Sequence, residues 1–173
     1  SESKRDALRA MRATPVVADA LDPDQIARAV AEASSEAIVH ELTALSRRLD
    51  LRRFDRAFAE TNRLRTEGTD HLLSPAARFG VCRFLAQSYA GWPYAREGSA
   101  VKGEEAPFDP NPPEAVRESL AAIRHLEEAV IGAEWTEGIV LRYGGLYGPG
   151  TSLDGPGSEH FEAIRKRLFP LIG

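Results

Sequence analysis

The sequence predicts an α/β protein built on a Rossmann-like, doubly wound parallel sheet that is incomplete at its N-terminal side. Short apolar, β-branched runs alternate with longer stretches of helical periodicity, a pattern typical of parallel α/β sheets. In residues 61–73, 83–94 and 138–150, a strand or helix runs into a turn marked by glycine or serine. Sheets of this type bind ligands at the carboxyl ends of their strands, so these turns are the expected site.

The first third of the chain predicts two strands and a helix. Residues 13–19 (ATPVVAD) form an apolar run that predicts the first strand. Asp22 as N-cap and Pro23 at the first helical position predict a helix over 23–33. Residues 36–44 predict the next strand.

The middle of the chain predicts one long helix followed by a strand. Apolar or small residues recur at intervals of three and four from Leu51 to Ala76, which places them on one helical face. Gly80 marks the end of this helix, and residues 81–88 predict a buried strand.

The last part of the chain opens with a long loop. Residues 89–113 are too rich in proline and glycine for a regular element, and loops of this length are often functional. A helix over 114–131, a strand over 138–143 and a helix over 159–168 follow. We expect residues 1–173 to form a single domain.

Composition restricts the function classes. The chain has 43% apolar and 28% charged residues, and its net charge of −4 argues against a nucleic-acid partner. Cys82 is the only cysteine, which excludes an intrachain disulfide and a thiolate metal cluster; it is expected to be buried like a small apolar residue. No apolar run is long enough to span a membrane and no signal peptide is evident, so a cytoplasmic protein is expected.

Five motifs together resemble the extended and atypical short-chain dehydrogenase/reductases, the proteins similar to NAD-dependent epimerases and dehydratases. Asp19-Ala20 is similar to the acidic strand end that approaches adenine, and 39–44 (VHELTA) to a strand that lines the cofactor. The remaining matches are Asn62, Gly68, Thr69, Leu72 and Leu73 in a helix, Arg83–Ser88 in a strand that ends in a catalytic serine, and Arg142 with Tyr147–Gly150 in R-P-x-x-x-Y-G-P-G, where Tyr143 replaces the proline.

The resemblance implies an NAD or NADP cofactor and a particular set of site residues. The implied cofactor-binding residues are Asp19, Ala20, Leu42, Thr43, Ala44, Asn62, Arg124, Tyr143, Gly144 and Gly145. The glycine-rich turn that holds the pyrophosphate in this family is not in the sequence. We therefore expect an internal piece of a longer protein, truncated at the N-terminus and with its C-terminal substrate portion missing or partial.

The family's catalytic Tyr–Lys pair is also missing. Its positions fall on Leu120 and Arg124 or, with the register shifted by one, on Ser119 and Ile123. Neither register supplies a tyrosine, although Arg124 could hold a ribose hydroxyl. The acid/base role of the family tyrosine must then be absent or be filled by another residue.

The catalytic candidates are Ser88, Tyr89 and Tyr94. Ser88 follows a buried strand and could hydrogen-bond a substrate carbonyl or hydroxyl; alternatively, it bonds its own turn. Tyr89 and Tyr94 could replace the missing phenol, or they could anchor the loop. His40 is expected to be a core histidine, and the other histidines lack metal-ligand spacing.

Two functions remain open at the sequence level. The first is an NAD(P)-dependent epimerase, dehydratase or reductase that transfers hydride on a sugar nucleotide or another small hydroxyl or carbonyl substrate. The second is a non-catalytic dinucleotide sensor or scaffold that has lost the Tyr–Lys pair. A homodimer through the helices of 51–78 and 114–131 is a further expectation from the family.

Overall fold

The computed structural model describes residues 4–44, 54–151 and 154–167, without the side chains of residues 159 and 160. The chain divides into two compact units, Ser1–Arg142 and Tyr143–Gly173. The first unit carries most of the regular structure and almost all of the predicted site residues.

Three strands form one sheet in the order β1-β2-β3, with β1 at Ala37–His40, β2 at Arg83–Tyr89 and β3 at Glu137–Tyr143. β1 and β2 are parallel, and their register runs from Ala37 opposite Arg83 to His40 opposite Ala86. Because parallel strands end at the same edge, the residues after His40 and those at the end of β2 share the carboxyl edge of the sheet.

The first two helices are α1 (Arg5–Ala10) and α2 (Pro23–Ala33). The α2 boundaries agree with the prediction, and so does its cap. The Asp22 carboxylate accepts hydrogen bonds from the backbone N–H groups of Asp24 and Gln25, and Pro23 occupies the first helical position.

The predicted long helix contains a π-helical turn. It comprises α3 (Phe54–Arg63), a π segment (Leu64–Gly68) and α4 (Thr69–Arg78). Gly80 then adopts a positive φ of 72°, and the Val81 N–H donates to the Ala76 carbonyl, closing the helix end as glycine caps do. The predicted start at residues 51–53 lies outside the described residues.

After the loop, a 3₁₀ turn (Glu114–Val116) leads into α5 (Arg117–Ile131). No side chain of the preceding loop caps α5. Instead, Asp55 of α3 accepts from the backbone N–H groups of Glu118 (3.0 Å) and Ser119 (2.9 Å). A carboxylate there satisfies free amides and complements the helix dipole.

The core lies between the sheet and helices α4 and α5. It comprises Ala76, Val81, Phe84, Ala86, Leu126 and Val130, with Ile38, Leu72, Leu73 and Val140 packed against it. On the opposite face of the sheet, Val39 is 60% exposed. At Gly138 a Cβ would collide with the Val130 carbonyl, so glycine allows β3 to begin against the end of α5.

Three sequence expectations are corrected. Residues 13–19 form no strand; within the described part of the chain they join no ladder, Pro15 has no N–H to donate, and Val16 and Val17 are about half exposed. The strand predicted over 36–44 is only Ala37–His40. Cys82 is exposed, because it precedes β2 and its side chain turns toward the Gly80 carbonyl.

The second unit consists of glycine-rich turns and a short helix. Gly148 and Gly150 have positive φ angles of 122° and 82°, and the Thr151 N–H donates to the Gly148 carbonyl. Helix α6 spans Glu159–Arg165. The Gly-Pro-Gly sequence therefore forms a tight turn, as the family motif implies.

Candidate functional site

Two predicted groups lie at the carboxyl edge of the sheet. Leu42, Thr43 and Ala44 follow β1, while Ser88 and Tyr89 end β2. Since β1 and β2 are parallel, the fold places these groups on the same side of the first unit.

Ser88 is only 3% exposed and its hydroxyl already has a partner. It donates to Glu127 Oε1 of α5 at 2.5 Å. The Glu127 carboxylate also receives the Arg142 guanidinium, with Nη2 to Oε2 at 2.7 Å and Nε to Oε1 at 3.0 Å. Ser88, Glu127 and Arg142 thus form a buried network, here called the Ser88 network.

Arg142 connects this network to the long loop. Its Nη1 donates to the carbonyls of Glu104 (2.9 Å) and Ala106 (3.3 Å), and its guanidinium lies 4.4 Å from the centre of the Phe108 ring. The hydrogen bonds to the Glu127 carboxylate raise the pKa of the Arg142 guanidinium above its ordinary value. The Arg142 guanidinium is therefore charged, and in that form it holds the loop against the sheet.

Tyr94 is part of this loop anchor. It forms an isolated antiparallel bridge with Phe108, and the two ring centres are 6.1 Å apart. The Arg142 guanidinium lies 5.6 Å from the centre of the Tyr94 ring. The geometry supports the loop-anchor alternative for Tyr94.

Tyr89 lies in a different environment. Its ring centre is 6.3 Å from that of Trp92, and Trp92 packs edge-on against Phe54 at 5.4 Å. Tyr89 is half-buried at the end of β2. Its neighbour Trp92 lines a cavity. The role of Tyr89 as a proton donor stays a prediction.

The positions of the missing Tyr–Lys pair are occupied by side chains that cannot transfer protons as that pair does. Leu120 and Ile123 are each 1% exposed and belong to the apolar face of α5. Ser119 is fully buried, and its hydroxyl donates to Asp55 Oδ1 at 2.5 Å. Neither register contains a phenol in the folded chain.

Asn62 lies beside this part of α5. Its Nδ2 donates to the Ser119 hydroxyl at 3.0 Å. Its Oδ1 is buried and has no hydrogen-bond partner among the described residues. A buried acceptor in that state is costly, so Asn62 fits a donor-bearing ligand or an ordered water.

Among the residues after β1, two backbone N–H groups are hydrogen-bonded within the chain and one hydroxyl-bearing side chain is exposed. The Ala44 N–H donates to the Thr61 hydroxyl at 3.0 Å, and the Leu42 N–H donates to Nδ1 of His40 at 3.3 Å. Thr43 is exposed, so its hydroxyl is open to a ligand. His40 itself is the expected core histidine, 2% exposed and 3.0 Å from the Thr69 hydroxyl.

Asp19 and Ala20 lie in a turn rather than at a strand end. The Asp19 carboxylate accepts from the Leu21 N–H at 2.9 Å, and the Ala20 carbonyl lies 3.1 Å from Nδ1 of His71. In the structure, Asp19 is therefore a turn residue. Contact with adenine stays a prediction.

Arg124 faces the loop. Its Nη2 donates to the Asp109 carbonyl at 2.7 Å, and its guanidinium lies 5.6 Å from the centre of the Phe108 ring. This contact holds the Asp109 region in place. The predicted role at a ribose stays untested.

Tyr143, Gly144 and Gly145 open the second unit. Tyr143 is half-buried and both glycines are exposed, with no atom within 4 Å of a Cβ built at either position. Space for close approach of a ligand is therefore present there.

Sequence reasoning missed three residues of this region. Glu127 and Asp55 are acidic helix residues whose partners lie 39 and more than 60 residues away, so no local signal identifies them. Arg65, in the π segment, is half-buried with no guanidinium hydrogen bond or ion pair within the described ranges, and this burial lowers its pKa. The π turn that holds Arg65 is not visible in the apolar spacing, so the sequence carries no local signal for this residue either.

Two kinds of feature are not found in the described part of the chain. No group of three or more His, Cys, Asp or Glu side chains there could hold a metal ion. No helix among those residues is long and apolar enough to cross a membrane.

A curated relative matches almost the whole chain. The 3-diazoavenalumate denitrifying reductase of Streptomyces sp. is 42% identical over 168 residues, which is 95% of this chain and 53% of that protein. The chain thus spans about half the length of the curated relative it matches. No protein-family profile matches the chain.

Solved structures with this fold include nucleotide-sugar enzymes. The UDP-glucose 4-epimerase of Thermotoga maritima, with UDP-glucose, superposes with a TM-score of 0.63 at 20% identity, over 79% of this chain and 43% of that one. The Thermus thermophilus UDP-glucose 4-epimerase in complex with NAD gives 0.58 at 24%, over 78% and 42%. RMD from Pseudomonas aeruginosa with NADPH gives 0.57 at 23%, over 79% and 44%.

These likenesses confirm the predicted resemblance and the Rossmann-like fold class. The chain has the fold of the NAD-dependent epimerases of the short-chain dehydrogenase/reductase type. The chain covers less than half of each of these structures.

Proposed function

We propose that this chain is part of an NAD(P)-dependent reductase that replaces a diazo group of its substrate with hydrogen. The observation that carries the proposal is the 42% identity to the 3-diazoavenalumate denitrifying reductase across 95% of the chain. By its name, that relative reduces a diazo compound with loss of nitrogen. The reductase named in the sequence-level hypothesis is thereby favoured over an epimerase or dehydratase.

The altered catalytic positions support this chemistry. A bound dihydronicotinamide would supply a hydride. With the substrate as a diazonium cation, the carbon would gain a C–H bond while the C–N bond breaks and N₂ leaves with the bonding electrons. Charge and electrons balance, because the cationic diazonium and the reduced cofactor become a neutral product, N₂ and the oxidised cationic cofactor. Because a diazonium cation takes up only a hydride, this step needs no proton donor, and a tyrosine at the position of Ser119 or Leu120 is dispensable for it.

Three described residues carry groups that fit an NAD(P) cofactor. The exposed Thr43 hydroxyl and the unpartnered Asn62 Oδ1 suit ribose hydroxyls, and the half-buried Arg65 guanidinium suits an anionic phosphate. Solved structures of this fold were determined with NAD or with NADPH, which supports a nicotinamide cofactor without selecting one.

The full-length protein and a deuterium label test the proposal. NADH and NADPH carrying deuterium at C4 are incubated with an arenediazonium carboxylate, and the product is examined by mass spectrometry with N₂ release measured in parallel. We expect one deuterium per product molecule and one N₂ per oxidised cofactor, above the rate of a protein-free control.

Two other outcomes would contradict the reductase. Turnover of UDP-glucose with no diazo reduction would favour the epimerase reaction. Cofactor binding without turnover of diazonium, sugar nucleotide or aldehyde would favour the sensor or scaffold.

The expected cytoplasmic location and the homodimer through residues 51–78 and 114–131 stay predictions. Light scattering of the full-length protein tests the dimer.

A further inference from the structure

A cavity of about 280 Å³ opens next to the end of β2. It lies between the start of α3, the loop after β2 and the first turns of α5, and its walls include Phe54, Trp92, Arg96, Pro113, Val116 and Leu120. The volume is close to the lower end of small-molecule sites, and the lining is mostly apolar, as such sites are.

The aromatic walls of this cavity are held in place by one another. Phe54 stacks on Phe58 with ring centres 4.3 Å apart and an interplanar angle of 15°, and Trp92 meets Phe54 edge-on at 74°. Trp92 remains 36% exposed, so part of its ring is free for a ligand. A flat aromatic group inserted there would gain ring contacts without ordering new side chains.

Leu120 makes the cavity apolar at the position where the family has its catalytic tyrosine. It is one of the two residues at the position of the family tyrosine, and it lines the cavity. With leucine there, the cavity offers a sugar no hydroxyl partner at that position. A sugar nucleotide carries more hydrogen-bonding groups than this lining could satisfy.

The cavity lining includes one arginine that is free to meet an anion. Arg96 lines the cavity and is exposed, and its guanidinium has no hydrogen bond or ion pair within the described segments. The other charged residue of the lining, Asp109, is engaged by its own turn, since its Oδ1 accepts from the Asn111 N–H at 2.8 Å. Arg96 is therefore available for a bidentate contact with a carboxylate.

We propose that this cavity binds the aromatic ring of an aromatic carboxylate, with Phe54 and Trp92 against the ring and Arg96 at the carboxylate. The inference rests on the proposed reductase, because it names the substrate class of that same site. The ring is held by stacking and the acid by charge, so a saturated acid and a neutral arene should each lose one of the two contacts.

Calorimetry on the full-length protein with NADPH present tests the site. The probes are cinnamate, cinnamamide, cyclohexanecarboxylate and UDP-glucose. We expect cinnamate to bind at least about tenfold tighter than each of the other three. Trp92→Leu should weaken cinnamate about tenfold, and Arg96→Gln should abolish the preference for cinnamate over cinnamamide, which Arg96→Lys should partly restore.

The control variant is Phe79→Leu, which shortens an exposed aromatic residue outside the cavity lining. It should leave cinnamate binding unchanged, and all variants should keep the wild-type affinity for NADPH, which verifies folding. Equal binding of cinnamate and cyclohexanecarboxylate, or unchanged binding in Trp92→Leu, would overturn the site. If the protein reduces the diazo compound but does not show this order of binding, the proposed cavity is wrong and the reductase stands. If the protein shows this order of binding but no diazo reduction, the proposed reductase is wrong and the cavity stands.

Discussion

His40 illustrates how a single buried residue can couple stability to pH. The ring is 2% exposed, and Nε2 lies 3.0 Å from the Thr69 hydroxyl. Burial, with a smaller contribution from the positive charge of Arg65, lowers the pKa of His40 to about 4 from an ordinary value of 6.5. The native state thus holds a neutral imidazole that the unfolded chain would protonate.

We expect acid to destabilise the protein through this residue. Below pH 6.5 the unfolded state binds a proton that the native state does not, so the free energy of unfolding falls as pH decreases toward 4. The full loss is roughly 3 kcal/mol, at about 1.4 kcal/mol per pH unit. Urea unfolding at pH 8 and pH 4 should show this loss in the wild type and a smaller one in His40→Gln. An equal loss in both proteins would contradict it.

Ser88 shows the limit of prediction at the same scale. The apolar run before it predicted that Ser88 follows a buried strand, and in the structure Ser88 is the next-to-last residue of β2. Its partner Glu127 is 39 residues away on α5, and nothing in the local sequence around either residue indicates the contact. Only packing of α5 against β2 brings the carboxylate to the serine.

At the scale of elements, α5 depends on a neighbouring helix for its N-terminus. Periodicity predicted the helix over 114–131, but its own sequence offers no side-chain cap. Asp55 of α3 fills that role by accepting from two backbone N–H groups and from the Ser119 hydroxyl. The α3 and α5 helices are therefore linked by hydrogen bonds as well as by apolar packing.

Asp55→Ala should lower the free energy of unfolding by about 2 kcal/mol. This is at the upper end of the range for caps, because the buried Ser119 hydroxyl also loses its acceptor. Asp55→Asn keeps an acceptor and should cost less. The matched control is Asp22→Ala, which removes the exposed local cap of α2 and should cost less than Asp55→Ala. Chemical denaturation measures all three, and a cost for Asp55→Ala below that for Asp22→Ala would refute the cap.

The predicted elements that failed have physical reasons. The run of residues 13–19 has strand-like composition, but a strand needs a hydrogen-bonding neighbour and this segment has none in the described part of the chain. The helix from Leu51 was predicted without interruption, yet a π turn occupies Leu64–Gly68, where the Thr66 hydroxyl bonds to the Asn62 carbonyl. Apolar spacing does not reveal one extra residue in a helical turn.

At the scale of the first unit as a whole, Arg142 joins strand, helix and loop. It binds the Glu127 carboxylate of α5 and two loop carbonyls, at Glu104 and Ala106. The side chains of Arg142 and Glu127 are 23% and 11% exposed, so this is a largely buried ion pair. Removing one partner of such a pair leaves an uncompensated charge.

Arg142→Met should therefore destabilise the protein by about 3 kcal/mol and release the loop. Hydrogen exchange measured by mass spectrometry should quicken in residues 95–108 more than in β2. Arg83→Met is the control, because it removes an exposed pair with Glu137, whose side chains are 55% and 57% exposed, and should change little. Unchanged exchange in the loop of Arg142→Met would show that other contacts hold it.

The sequence by itself determined the class of fold, the cap of α2, the end of α4 at Gly80 and the long loop. It also determined that no phenol stands at the family's catalytic positions. These features depend on local periodicity, turn chemistry and residue identity. The tertiary structure alone decided that Ser88 is engaged by Glu127, that Asp55 caps α5 and that Phe54, Trp92 and Leu120 share a cavity. Those contacts join residues from distant parts of the chain, and their free energy exists only once the sheet and helices have packed.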